Sequence, residues 1–67
     1  RQARYEGSDR QARGAVLRAL RDAPGHALAR HEAAADWPDP HQRDRAIDSL
    51  IADGLAEASD GMLRLPA

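Results

Sequence analysis

Residues 54–66 read GLAEASDGMLRLP, and their pattern is the most informative one about the fold class. Apolar and polar residues alternate on either side of Asp60-Gly61. This dipeptide favours a two-residue hairpin turn, because Gly accepts a positive φ and Asp tolerates one. We therefore predict a C-terminal β-hairpin with strands over about 55–58 and 62–65.

The segment directly upstream carries the clearest helix signals in the chain. Asp39 is a favourable capping residue, and Pro40 suits the first helical position. Apolar residues then recur at helical spacing at positions 46, 47, 50 and 51, and Gly54 suits the position just past the C-terminus. These signals predict a helix over about 40–53.

Two earlier helices are predicted from capping and composition. Ser8 and Gln11 form a capping-box pattern ahead of apolar residues at 12, 16 and 20, which predicts a helix over about 9–22. The segment 27–37, ALARHEAAADW, is rich in helix formers and is followed by Pro38, so we predict a short second helix there. Residues 1–7 show no periodicity and are interpreted as a connector.

Three helices followed by a hairpin predict an α+β, mostly helical fold of the winged helix-turn-helix type. A chain of 67 residues holds one domain, which we place at 8–67, and it has a small core. Trp37 is expected to be the largest core side chain. A three-helix bundle with a disordered tail is the alternative fold, against which the Asp-Gly hairpin argues.

Composition excludes several classes of site. The chain has no Cys, and therefore no disulfide, thiolate metal site or cysteine nucleophile. No apolar run approaches a membrane span, which predicts a soluble, cytoplasmic protein without a membrane partner. The net charge of −1 is uneven, because residues 1–22 have a balance of +3 and residues 23–67 a balance of −4.

Catalytic and metal-binding patterns are weak. His31-Glu32 begins a His-Glu-x-x-His motif, but position 35 is Ala, so the second ligand is missing. The three His residues have no ligand spacing, and the Ser residues lack a nucleophile-elbow context. We predict no catalytic residue and no metal site in this chain.

Two groups of residues are candidates for contact with DNA. In a DNA-binding winged helix the third helix enters the major groove and the hairpin touches the backbone. This predicts contacts by Gln42, Arg43, Arg45 and Arg64. Counted with its capping residue Asp39, however, the third helix has a local charge balance of −2, whereas DNA readers concentrate positive charge.

The second group lies near the N-terminus, where counterion release rewards clustered cations. It consists of Arg1, Arg4, Arg10 and Arg13, with Tyr5 available for stacking. A solvated linker and helix surface is the alternative interpretation of this group.

Five segments carry a resemblance to a known family: 5–14 (YEGSDRQARG), 16–21 (VLRALR), 37–39 (WPD), 42–46 (QRDRA) and 52–55 (ADGL). Together they resemble the C-terminal extension of actinobacterial A/G-specific adenine DNA glycosylases, the MutY family. The similarity covers nearly the whole chain.

The resemblance implies a parent enzyme of base-excision repair that flips out and removes adenine opposite 8-oxoguanine. The family's catalytic carboxylates and the four Cys of its 4Fe-4S cluster lie upstream of such a segment, so no catalytic or cofactor role is implied here. The expected role is that of a monomeric accessory domain that assists binding of double-stranded DNA. A winged-helix transcriptional regulator and a protein-interaction or packing module are the alternatives.

Overall fold

The computed structural model describes residues 7–67 and contains, within them, two α-helices and a three-stranded antiparallel sheet. The elements follow in the order α1 (Asp9–Asp22), β1 (Ala27–Ala29), α2 (Pro40–Ala52), β2 (Glu57–Ser59) and β3 (Met62–Arg64). The predicted α+β class is confirmed, and the prediction of three helices is wrong. All of the predicted connector except Gly7 lies outside the described residues.

Helix α1 coincides with the helix predicted over 9–22 and begins with a complete capping box. The backbone N–H of Gln11 donates to Ser8 Oγ at 3.1 Å, and the Ser8 N–H donates to Gln11 Oε1 at 3.0 Å. These two bonds satisfy donors that a helix N-terminus otherwise leaves unpaired. Ala12, Val16 and Leu20 are buried, so one side of α1 packs on the core and the other is free of it.

Gly14 lies inside α1 without a packing reason among the described residues. A Cβ at this position would meet nothing within 4 Å. Since Gly in a helix interior costs about 1 kcal/mol relative to Ala, we expect Gly14→Ala to raise the free energy of unfolding by about 0.5–1 kcal/mol. Urea denaturation followed by circular dichroism measures this change. A loss of stability in the variant would show that the side of α1 around Gly14 is packed.

The helix predicted over 27–37 is wrong. Its first residues form β1, and a 3-10 turn follows at Arg30–Glu32. Strand β1 pairs with β3, with Leu28 opposite Leu63, and the Arg30 N–H donates to the Gly61 carbonyl at 2.9 Å. The pairing supplies backbone hydrogen bonds and apolar contact that outweigh a preference for helix worth a few tenths of a kcal/mol per residue.

The predicted hairpin is present with shorter strands than expected. Asp60 and Gly61 both have positive φ, 54° and 76°, as a type I′ turn requires. The strands cover Glu57–Ser59 and Met62–Arg64 instead of 55–58 and 62–65. The sheet order is β1-β3-β2, so β3 is the central strand.

Helix α2 ends one residue before the predicted limit of 53. The Asp39 carboxylate caps its start by accepting from the N–H groups of His41 and Gln42, at 3.0 and 3.1 Å. Gly54 follows with φ 77°, in the left-handed conformation typical of the residue after a helix. The predicted roles of Asp39 at the start of the helix and of Gly54 after its end are therefore confirmed.

The core lies between the two helices and the inner side of the sheet. It consists of Val16, Leu20, Ala33, Ile47, Leu50, Ala56 and Leu63. Trp37 is only half-buried and lies outside this cluster, so its predicted place in the core is wrong. No helix among residues 7–67 is long and apolar enough to cross a membrane.

Candidate nucleic-acid surface

The predicted DNA contacts are distributed over both helices and the hairpin. Arg1, Arg4 and the stacking candidate Tyr5 lie outside the described residues. The others are Arg10 and Arg13 on α1, Gln42, Arg43 and Arg45 on α2, and Arg64 on β3. Arg13 and Arg45 line one groove with Asp9, to which Gln42 also donates, and several of the six side chains are held in contacts within the chain.

Arg13 connects the two helices. Its Nη1 donates to Ser49 Oγ at 2.6 Å, and its Nη2 lies 3.0 Å from Asp53 Oδ2. Ser49 Oγ in turn donates to the Ala46 carbonyl at 3.0 Å. The guanidinium group is thus engaged by the last turns of α2, which leaves little of it for a phosphate.

Arg43 holds the segment before α2 against that helix. Its Nη1 donates to the carbonyl oxygens of His31 and Ala33, at 3.3 and 3.4 Å, and Nη2 lies 3.6 Å from Asp44 Oδ1. The side chain is only 17% exposed. Because its donors face the chain's own backbone, Arg43 is poorly placed to reach a base edge.

Gln42 uses both ends of its amide within the chain. Its Oε1 accepts from Trp37 Nε1 at 2.7 Å, and its Nε2 donates to Asp9 Oδ1 at 2.9 Å and to the Gly7 carbonyl. Gln42 therefore fixes the start of α1 against the start of α2. The polar tip of Trp37 explains why this residue lies at the margin of the core.

The remaining predicted cations are more accessible. Arg45 is 65% exposed and lies 3.9 Å from Asp9 Oδ1, a weak surface pair. Arg64 Nη1 donates to Ser59 Oγ at 2.9 Å across the hairpin. Arg10 is exposed on the first turn of α1.

The acidic character of α2 is partly neutralised by an arginine that sequence reasoning missed. Arg30 Nη2 lies 3.0 Å from Asp48 Oδ1 and 3.9 Å from Asp44 Oδ1. The sequence does not indicate this role, because a helix over 27–37 would not place Arg30 beside α2. The outward side of α2 is therefore an arrangement of ion pairs within the chain.

Sequence reasoning also missed Arg18 and Arg21. Both are exposed on α1. In the described part of the chain, four arginines have no carboxylate oxygen within 4.0 Å: Arg10, Arg18, Arg21 and Arg64. Three of these four lie on α1, and their spacing opposite Ala12, Val16 and Leu20 was the signal that could have identified them.

The described residues contain no grouping suited to a metal ion: no three His, Asp or Glu side chains within 7–67 come together as ligands. Two of the grooves on the described surface lie beside predicted or missed arginines. One lies on α1 and is lined by Gln11, Gly14, Ala15, Leu17, Arg18 and Arg21. The second lies between the helices, beside Asp9, Arg13, Arg45 and Ser49. Cationic and apolar groups together line the groove on α1, an arrangement suited to contact with an anionic chain.

Comparison with known proteins identifies relatives of one kind. The chain is 48% identical over 64 residues to an adenine DNA glycosylase of Mycolicibacterium smegmatis, and 45% identical over 64 residues to an adenine DNA glycosylase of Mycobacterium tuberculosis. Each match covers 92% of this chain and 22% or 21% of the relative. The resemblance found in the sequence is confirmed, and the chain spans about a fifth of the length of these relatives. No protein-family model and no solved structure matches the chain significantly.

Proposed function

We propose that this chain is a non-catalytic accessory domain of an adenine DNA glycosylase of base-excision repair, and that it assists the binding of duplex DNA. The observation that carries the proposal is the similarity to adenine DNA glycosylases along 92% of the chain. Under this proposal, removal of adenine opposite 8-oxoguanine and the iron–sulfur cluster belong to parts of the parent enzyme outside these 67 residues.

The arrangement of strands around α2 supports a DNA-associated role of the winged-helix type. A hairpin follows α2, and its second strand pairs with a strand that precedes α2. We propose that this is a reduced winged helix in which the second helix is replaced by the 3-10 turn at Arg30–Glu32 and the segment after it. The domain would act as a monomer attached to its parent.

The transcriptional-regulator alternative requires α2 to read bases. Gln42 and Arg43 are held in hydrogen bonds within the chain. The carboxylates of Asp44 and Asp48 lie beside the guanidinium group of Arg30. Since its carboxylates and guanidinium groups are engaged within the chain, α2 offers phosphates little unpaired positive charge. The arrangement therefore favours backbone contact over sequence reading.

The proposal predicts weak DNA binding that depends steeply on salt. Titration of a labelled duplex with the 67-residue chain should give a dissociation constant of about 10⁻⁶–10⁻⁴ M at low salt, because a few arginine–phosphate contacts supply most of the affinity. Raising the salt from about 50 to about 200 mM should weaken binding by about 40-fold, as three phosphate contacts imply. The measurement is fluorescence anisotropy.

Duplexes of different sequence serve as the control and should bind equally well. A strong preference for one sequence would indicate the regulator alternative instead. If no duplex binds even at low salt, the accessory DNA-binding role is wrong, and a contact with the rest of the parent enzyme becomes the better explanation of the domain.

A further inference from the structure

We propose that the DNA phosphates are contacted by the outward side of α1, and not by α2, which occupies the place of the recognition helix. The surface concerned, here named the α1 outer face, is made of Arg10, Gln11, Gly14, Arg18 and Arg21. This inference rests on the proposed function and adds to it the surface and the class of ligand: the sugar–phosphate backbone of duplex DNA.

Helix geometry brings these five residues to one side of α1. Each residue advances about 100° around an α-helix, so positions 10, 11, 14, 18 and 21 lie within a sector of about 100°. That sector is centred roughly opposite Ala12, Val16 and Leu20, which are buried. All five outer-face residues are exposed.

The charge of the α1 outer face is not neutralised by the described part of the chain. Arg10, Arg18 and Arg21 have no carboxylate within 4.0 Å among residues 7–67, whereas Arg13, Arg30, Arg43 and Arg45 each have one. Asp22 is the one acidic residue at the edge of this side of α1, and it is exposed without an ion pair to these arginines. The net local charge is therefore positive.

The spacing of the arginines fits one strand of a duplex. Arg10 and Arg21 are separated along the helix axis by about 16 Å, at about 1.5 Å per residue. Neighbouring phosphates on one strand advance by about 3.4 Å along the duplex axis, so the face is longer than the step between them. Three arginine side chains can thus each meet a different phosphate.

Gly14 gives the α1 outer face its shape. The position lacks a side chain, has open space around it and lines a groove of about 350 Å³ with Gln11, Ala15, Leu17, Arg18 and Arg21. Packing within residues 7–67 does not require a glycine there. Close approach of a sugar–phosphate chain to the helix backbone would require a glycine at position 14, because a longer side chain would lie between the flanking arginines.

The test compares two double variants that remove the same charge. R18Q/R21Q alters the α1 outer face, and R45Q/R64Q removes two exposed or half-exposed arginines elsewhere. For R18Q/R21Q we expect duplex affinity to fall roughly tenfold or more at low salt, and the slope of log K against log[salt] to become shallower by about 2. R45Q/R64Q should keep the slope of the unaltered chain. Thermal unfolding confirms that both variants are folded.

A third variant, Gly14→Leu, tests the close approach without changing charge. It should fold at least as stably as the unaltered chain and bind duplex several-fold more weakly with an unchanged salt slope. Unchanged affinity in Gly14→Leu would overturn the close approach. Equal losses in the two double variants would overturn the assignment of the α1 outer face, while binding by the unaltered chain would still support the proposed function. Failure of the unaltered chain to bind any duplex would overturn the proposed function itself.

Discussion

Leu63→Ala is expected to unfold a large fraction of the protein at 25 °C. Leu63 is fully buried in the central strand β3, opposite Leu28 of β1, and belongs to the core cluster. Truncation of a buried Leu to Ala costs about 2–5 kcal/mol, while a chain of this length has a total stability of only about 3–10 kcal/mol. The cluster also contains Val16 and Leu20 of α1 and Ile47 and Leu50 of α2, so a cavity at Leu63 lies in the core that both helices share.

Leu55→Ala is the matched control, because it deletes the same atoms from a side chain that is 45% exposed. Its free energy of unfolding should fall by less than about 1 kcal/mol. Urea denaturation of both variants, followed by far-UV circular dichroism, gives the comparison. Equal losses in the two variants would contradict the placement of the core beneath β3.

The position of Leu63 also shows how far the sequence predicted the fold. The Asp60-Gly61 turn and both α-helices were predictable because capping residues, apolar periodicity and turn chemistry are local signals. Strand β1 was not, because its pairing with β3 depends on contacts more than 30 residues apart in the chain. The helix propensity of residues 27–37 favoured a helix instead of a strand.

The predicted hairpin itself requires a further strand. Two strands of about four residues each, joined by a tight turn, are not stable as an isolated hairpin, so a third strand was needed. The segment containing Leu28 is also too short to form a stable helix by propensity alone. Pairing of Ala27–Ala29 with the hairpin therefore stabilises the chain more than the helix propensity of its Ala residues would.

The candidate site was predictable in its residue types but not in its geometry. Sequence reasoning selected Gln42 and Arg43 because of their chemistry and their place in the third helix. Trp37, Asp9 and the carbonyl of Ala33, which engage these two side chains, come from segments whose positions no local sequence signal indicates. Partners that come from distant segments decide whether a polar side chain is available to a ligand.

Substitution of Arg43 and of Arg45 tests whether contacts within the chain decide the role of an arginine on α2. Arg43→Met keeps the aliphatic stem but removes the guanidinium group from the carbonyl oxygens of His31 and Ala33. We expect the free energy of unfolding to fall by about 1–3 kcal/mol, because hydrogen bonds to a charged group are lost and the Ala33 carbonyl is left without this donor. Arg45→Met, at a side chain that is 65% exposed, should change stability by less than about 0.5 kcal/mol.

The two variants should also separate a role in stability from a role in DNA binding. If Arg43 holds the chain together, Arg43→Met will lower the urea midpoint while the salt slope of duplex binding at low temperature stays that of the unaltered chain. If α2 reads the groove, Arg43→Met and Arg45→Met will both make the slope shallower by about 1 without a matching difference in stability. Arg43→Lys discriminates further, since both carbonyl oxygens accept from Nη1, and the ammonium group of the shorter Lys side chain ends one bond before that nitrogen. It should therefore restore only part of the lost stability.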